Sequence, residues 1–183
     1  MGDHFQIIVD QHVETTAAVT HADRVLRWLI DEGIVESRQS DCVLGKDGGY
    51  RPGPSFAKVT DRPDDRFLTL RTNGLAVITG RTVFDAGQGG LDLMCAVCAH
   101  RFEATSGAWA NAVSEWYDQS GPGLLQCPRC GECRPVVEWQ HDPVYGYGNL
   151  GFEFWNWPTL RPDFIQAVGE WLSHPVVLVC GKL

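Results

Sequence analysis

No run of about 18 apolar residues occurs anywhere in the chain, so no membrane-spanning helix is expected. The start, MGDHFQIIVDQ, lacks the basic segment and long apolar core of a secretory leader. Gln6 stands where an N-myristoylation signal carries Ser or Thr. Basic residues are scarce: 15 Lys and Arg face 23 Asp and Glu, for a formal charge of −8. A protein that grips duplex nucleic acid neutralises phosphates with Lys and Arg, so nucleic acid is not the expected partner. An acidic surface suits docking to a basic protein. Catalytic signatures are also missing. There is no G-x-S-x-G nucleophile elbow and no H-E-x-x-H metalloprotease helix. No G-x-x-x-x-G-K-[ST] phosphate loop occurs, and Gly45-Lys46, Gly181-Lys182 and GQGG at 87–90 lack the rest of that pattern. The expectation is a cytoplasmic protein without a membrane anchor.

What the sequence does hold is thiols. Seven cysteines are an odd number, which does not suit a secreted disulfide framework. Four of them form two C-x-x-C pairs, Cys95 and Cys98 in CAVC and Cys127 and Cys130 in CPRC. Zinc takes four tetrahedral N or S ligands, and a C-x-x-C turn delivers two thiolates to one ion. These four cysteines are therefore expected to bind one structural Zn²⁺. Iron–sulfur ligation uses the same thiols, but neither familiar ferredoxin spacing is present. A redox reading needs one reactive pair and not two matched ones. Four thiolates leave no open position for a catalytic water, so the ion would serve folding.

The knuckles are separated by residues 99–126, longer than the roughly 15–20 residues of the common C-x₂-C…C-x₂-C pattern. Within that interval Trp109, Ala112, Val113 and Trp116 fall at helical spacing, so an elaborated zinc ribbon with a short internal helix is expected. The module is acidic: Arg101, Arg129 and Arg134 face Glu103, Glu115, Asp118, Glu132 and Glu138. A nucleic-acid ribbon would be basic. Cys133, one step beyond the second knuckle, reads as an unligated thiol, and His100 as a neighbour of the site. Cys42 and Cys180 have no partner at metal spacing, and Cys180 reads as a small buried hydrophobe.

Outside the module, residues 5–9 read as a strand. A helix follows, with Thr20 and Asp23 as a capping pair and Ala22, Val25, Leu26, Leu29 and Ile30 as its apolar stripe, stopping at Gly33. Residues 44–66 read as a long Gly/Pro/Asp loop. Residues 67–71 and 75–79 flank Thr72-Asn73-Gly74 and suggest a hairpin. Residues 136–139 suggest a strand. Pro162 suits the first position of a helix whose stripe is Phe164, Ile165, Val168, Trp171 and Leu172. Residues 176–180, VVLVC, suggest a strand buried on both faces.

The resulting fold class is α+β: a ferredoxin-like, βαββαβ-type sheet with two helices, carrying an inserted zinc-ribbon-like module. The terminal strands should lie side by side in the sheet centre. Residues 1–94 and 140–183 together would form one discontinuous domain, with residues 95–139 as the inserted four-cysteine module.

Other clusters carry weaker chemistry. Seven aromatics fall within 139–157, and most read as core, with Tyr145 and Tyr147 in a Gly-rich loop as the better surface candidates. Asp61, Asp64 and Asp65 read as a solvated loop. Asp10, His12 and Glu14 have ligand chemistry but fall where a polar loop is expected.

HFQIIVD, RTNGLAVITGRTVF, GFEFWNWPTL and the ending VVLVCGKL resemble a group of small uncharacterised bacterial proteins along most of the chain. Some of that group carry a transporter-ATPase label. The resemblance implies no established activity, and the missing phosphate loop sets ATP hydrolysis aside. The leading expectation is a zinc-stabilised, non-enzymatic protein that binds a basic protein partner, as a bacterial immunity or antitoxin-like protein does. The alternatives are an enzyme with a site built on the 61–65 or 141–150 loops, and a zinc-ribbon nucleic-acid regulator.

Overall fold

The computed structural model describes residues 2–45, 48–104 and 107–183. It is α+β, with three helices among the described residues. The chain runs β1 (His4–Asp10), α1 (Thr15–Asp31), β2 (Val35–Ser40), β3 (Gly49–Pro52) and β4 (Leu75–Phe84). Then come β5 (Asp92–Met94), β6 (Arg101–Glu103), α2 (Ala108–Asp118), β7 (Leu124–Gln126), β8 (Cys133–Pro135) and β9 (Gln140–Asp142). It closes with β10 (Gly146–Trp155), α3 (Pro162–Leu172) and β11 (Val176–Lys182).

Six strands form one antiparallel sheet in the order β11-β1-β10-β4-β3-β2. The period of two sends alternate residues to opposite faces. Ile8, Leu150, Phe152 and Phe154 point to the helical side, where Ala18, Ala22, Val25 and Leu29 of α1 and Phe164, Val168 and Leu172 of α3 meet them. Trp157 is fully buried in that layer. Phe5, Ile7, Val9, Ala76, Trp155 and Val179 make a second apolar layer on the other face, joined by Phe84. Each buried Val, Leu, Ile or Phe side chain among them contributes roughly 1.5–3 kcal/mol through burial.

The terminal strands are neighbours, but β11 is the sheet's edge and not its centre. Among the described residues only an isolated bridge from Gly87 to Lys182 lies beyond it, so Val177 and Leu178 are only half buried and Cys180 is exposed, against the expectation of a two-sided buried strand and a buried Cys180. The α1 helix begins at Thr15, earlier than the Thr20–Asp23 pair suggested. Asp10 Oδ1 accepts hydrogen bonds from the backbone N–H of His12 (2.8 Å) and Val13 (3.0 Å). That turn aims the chain into the helix six residues sooner, with Glu14 and not Thr20 at the N-cap.

The Asn73-Gly74 pair does not turn a hairpin. Residues Asp65–Thr69 form a 3-10 turn. Buried Asn73 acts as a polar plug: its amide donates to the carbonyls of Phe67 (3.1 Å) and Leu68 (3.3 Å), and its Oδ1 accepts from Arg51 (2.9 Å). Trp157 Nε1 donates to the Asn73 carbonyl at 2.8 Å. The long loop expected at 44–66 contains β3 and a further 3-10 turn, and residues 136–138 are a 3-10 turn and not a strand. Lys46 and Asp47 of that loop lie outside the described residues. The Gly-rich segment 146–151 is part of β10, so Tyr147 is buried and not a surface residue.

The cysteine segment folds as two small sheets, β6-β5-β9 and β7-β8, with α2 between them in sequence. Leu93, Ala112, Leu125, Val136 and Trp139 make its core together with Tyr147 of β10. No helix among the described residues is long and apolar enough to cross a membrane.

Candidate metal centre

Each C-x-x-C pair caps a hairpin. Cys95 and Cys98 lie between β5 and β6, which pair antiparallel, and Cys127 and Cys130 lie between β7 and β8, which do the same. The two turns share one hydrogen-bond pattern. Cys95 N–H donates to the His100 carbonyl (3.0 Å), and Ala99 N–H donates to the Cys95 carbonyl (2.9 Å). Cys127 N–H donates to the Glu132 carbonyl (2.7 Å), and Gly131 N–H donates to the Cys127 carbonyl (3.0 Å). Both turns close with a positive φ at the fifth position, +54° at Ala99 and +78° at Gly131.

The two hairpin tips meet. Cys95 Sγ lies 3.7 Å from Cys130 Sγ, and Cys98 Sγ lies 3.8 Å from Cys127 Sγ. All four sulfurs lie within 4.8 Å of one another, and the set could hold a metal ion. Cys95 and Cys127 are buried, Cys98 is half buried and Cys130 is exposed. Burial pushes the Cys127 thiol up, but backbone N–H groups of Cys130 and Arg129, together with the Cys130 and Cys98 thiols, outweigh it and bring it down to about 7. At Cys130 the Glu132 backbone lowers the value, while burial and the neighbouring thiols carry it up to about 12. Four crowded sulfurs cannot all ionise together without a cation between them, and that is the electrostatic demand of a metal site.

Neither His100 nor Cys133 belongs to the ligand cluster. The His100 ring stacks on Phe102 at 6.0 Å, and Phe102 meets Trp139 edge-on at 5.5 Å. Cys133 is exposed, opposite Gln126 in the β7–β8 pair. Asp64 is taken by Arg66 at 2.7 Å, while Asp61 and Asp65 are exposed, so that run forms no cluster.

A seam of aromatic and polar groups joins the cysteine segment to the large sheet. The Arg81 guanidinium sits 3.9 Å from the centre of the Trp116 ring, and its Nε donates to the Trp116 carbonyl at 2.6 Å. Trp116 meets Tyr147 edge-on at 5.2 Å. The Tyr147 hydroxyl lies 3.0 Å from His141 Nε2, and half-buried Tyr145 stacks on the His141 ring at 5.6 Å. Burial holds His141 down to about 4, with a backbone contact to Trp139 partly opposing it.

A second cluster was not visible in the sequence. Asp10, fully buried at the end of β1, has Oδ2 2.8 Å from Nδ1 of His174, which precedes β11. His21 of α1 stacks on His174, with ring centres 5.7 Å apart and planes 6° from parallel. One ligand atom each from Asp10, His21 and His174 lies within 4.8 Å of the others. Only Asp10 was among the sequence candidates; Glu14 does not join it, and His12 lies beside it with its ring 6.0 Å from that of His174.

Comparison with protein-family models, with curated proteins and with solved structures finds no match to this chain.

Proposed function

We propose that the four cysteines hold one structural Zn²⁺ and that the protein acts by binding a basic protein partner, in the manner of an immunity or antitoxin-like protein. The observation that carries the zinc reading is the sulfur spacing. A tetrahedral ion with Zn–S bonds of about 2.3 Å has sulfur–sulfur edges of about 3.8 Å, and two of the four edges that join one hairpin to the other here, Cys95–Cys130 and Cys98–Cys127, are 3.7 and 3.8 Å. Two hairpins presenting one knuckle each support a zinc-ribbon-like module. Four thiolates fill the coordination sphere, so such an ion holds the hairpins together and activates no water.

A ferredoxin-like reading of the sheet rests on β1, β4, β10 and β11. A helix follows the first and the third of these, and all four are antiparallel to their neighbours. On this reading β2 and β3 extend the sheet beyond β4, and the insertion between β4 and β10, expected at 95–139, also takes in β5 and β9, which pair with each other. Membership in the small bacterial group, and a place in the cytoplasm, belong to the same proposal.

The partner reading rests on charge. Lys58, Arg66, Arg71, Arg101, Arg134 and Arg161 are all held by carboxylates of their own chain. Exposed Glu36, Glu103 and Asp118 form no ion pair among the described residues, and neither do exposed Arg27, Arg38, Arg62 and Arg129, but 23 acidic residues against 15 basic ones leave a formal charge of −8. The field left over is negative, which favours encounter with a basic surface and opposes nucleic acid. Affinity-tagged protein isolated from its host at low salt should retain a basic protein that high salt releases. Retention of nothing, or of nucleic acid, would sink this reading. An enzyme is the second reading, favoured by one observation, the Asp10, His21 and His174 cluster.

A further inference from the structure

We propose that Asp10, His21 and His174 form a second metal site, one for a divalent first-row transition ion, separate from the four cysteines. The residues come from three remote parts of the chain: the end of β1, the second turn of α1 and the turn between α3 and β11. Their ligand atoms lie within 4.8 Å of one another. Two imidazoles and one carboxylate on one face are a ligand set for such ions, with the remaining positions open to water or a further ligand.

The distances suit ligation. Metal–N and metal–O bonds of about 2.0–2.1 Å place neighbouring ligands at right angles about 2.9 Å apart, and Asp10 Oδ2 and His174 Nδ1 are 2.8 Å apart. Asp10 is already fixed: its other oxygen accepts the two backbone bonds from His12 and Val13, and its side chain is wholly buried. A preset carboxylate needs little reordering to bind an ion. His21 and His174 are half buried, so the site has a route from solvent.

A plain Asp–His strut would account for Asp10 and His174 alone. It gives no reason for a second imidazole stacked on the first, or for His12 beside them. Arg24 competes with the ion, since its guanidinium lies 3.2 Å from His21 Nδ1. The contact is exposed, so the ion can displace it.

The test uses the full chain loaded with one equivalent of Zn²⁺ at the cysteines, titrated with Co²⁺. One further equivalent should bind, giving weak visible bands without sulfur-to-cobalt charge transfer and shifting the ring signals of His21 and His174. His21→Ala should weaken that binding by about tenfold or more while the cysteine-bound zinc, assayed by release with a thiol reagent, is retained. His174→Ala should do the same; if it fails to fold, the half-buried His21 position decides the matter. Arg24→Ala should tighten binding. No second equivalent, or undiminished binding in His21→Ala, would overturn the proposal.

Discussion

Acidification should destabilise this protein through one histidine. His141 in β9 is 8% exposed, stacked on Tyr145 and in contact with the Tyr147 hydroxyl. Burial lowers its pKa from 6.5 to about 4. Between those values the unfolded chain carries a proton that the folded chain does not, so stability falls as pH drops from about 6.5 toward 4 and is unaffected by this group above about 7. Each pKa unit is worth about 1.4 kcal/mol, so the whole interval costs about 3 kcal/mol. That is a large share of the 5–15 kcal/mol typical of a domain. Urea denaturation of the metal-loaded protein at stepped pH, beside His141→Gln, would measure it. Thiolates bound to a metal also take up protons in acid, so the difference in slope between the two proteins is the quantity of interest. Equal slopes, or a His141 ring that titrates near 6.5 in the folded protein, would refute the reasoning.

Other expectations follow from the turns, the thiols and a tight approach of backbone. Ala99→Gly should raise stability by about 1 kcal/mol, because the residue sits at φ +54°, where an L side chain is disfavoured. Gly131→Ala should lower it by a similar amount in the same urea assay: an added Cβ meets nothing closer than Gln126 at 3.7 Å, so the cost is conformational. Cys133→Ser should leave the ion at the four cysteines in place, whereas Cys127→Ser should lose it, as the zinc released by a thiol reagent would show. Gly74→Ala should cost about 2 kcal/mol through overpacking, since the new Cβ would fall 2.2 Å from Cys42 Sγ; an unchanged urea midpoint would contradict that.

The parts of the fold legible in the sequence are those where one local signal decides. The α2 stripe, the start of α3 at Pro162 and the two C-x-x-C turns depend on neighbours within a few residues. β2, VESRQS, was illegible because only Val35 of it is buried; an outer strand needs no apolar alternation. Asn73-Gly74 misled for a related reason. The dipeptide carries turn chemistry, but here the Asn73 amide satisfies the carbonyls of Phe67 and Leu68, its Oδ1 accepts from Arg51, and its backbone carbonyl accepts from Trp157. A hairpin signal assumes that the side chain is spent locally, and burial at this position cancels the assumption.

The two ligand clusters differ in the same way. A C-x-x-C pair is legible because one turn brings its sulfurs together whatever the rest of the chain does. Asp10, His21 and His174 carry no shared spacing, and their meeting depends on tertiary structure. Pairing of β11 with β1 sets Val176 opposite Asp10, which brings His174 to the end of β1. The turn capped by Asp10 starts α1 at Thr15 and so sets where His21 falls on that helix. The Asp10 carboxylate thus both directs the chain into α1 and faces the histidine that β11 returns to it. Its two oxygens divide these roles, Oδ1 for the turn and Oδ2 for His174. Substitution at Asp10 would therefore disturb the helix start and the cluster together, which makes the two histidines, and not the carboxylate, the positions that can separate folding from ligand binding.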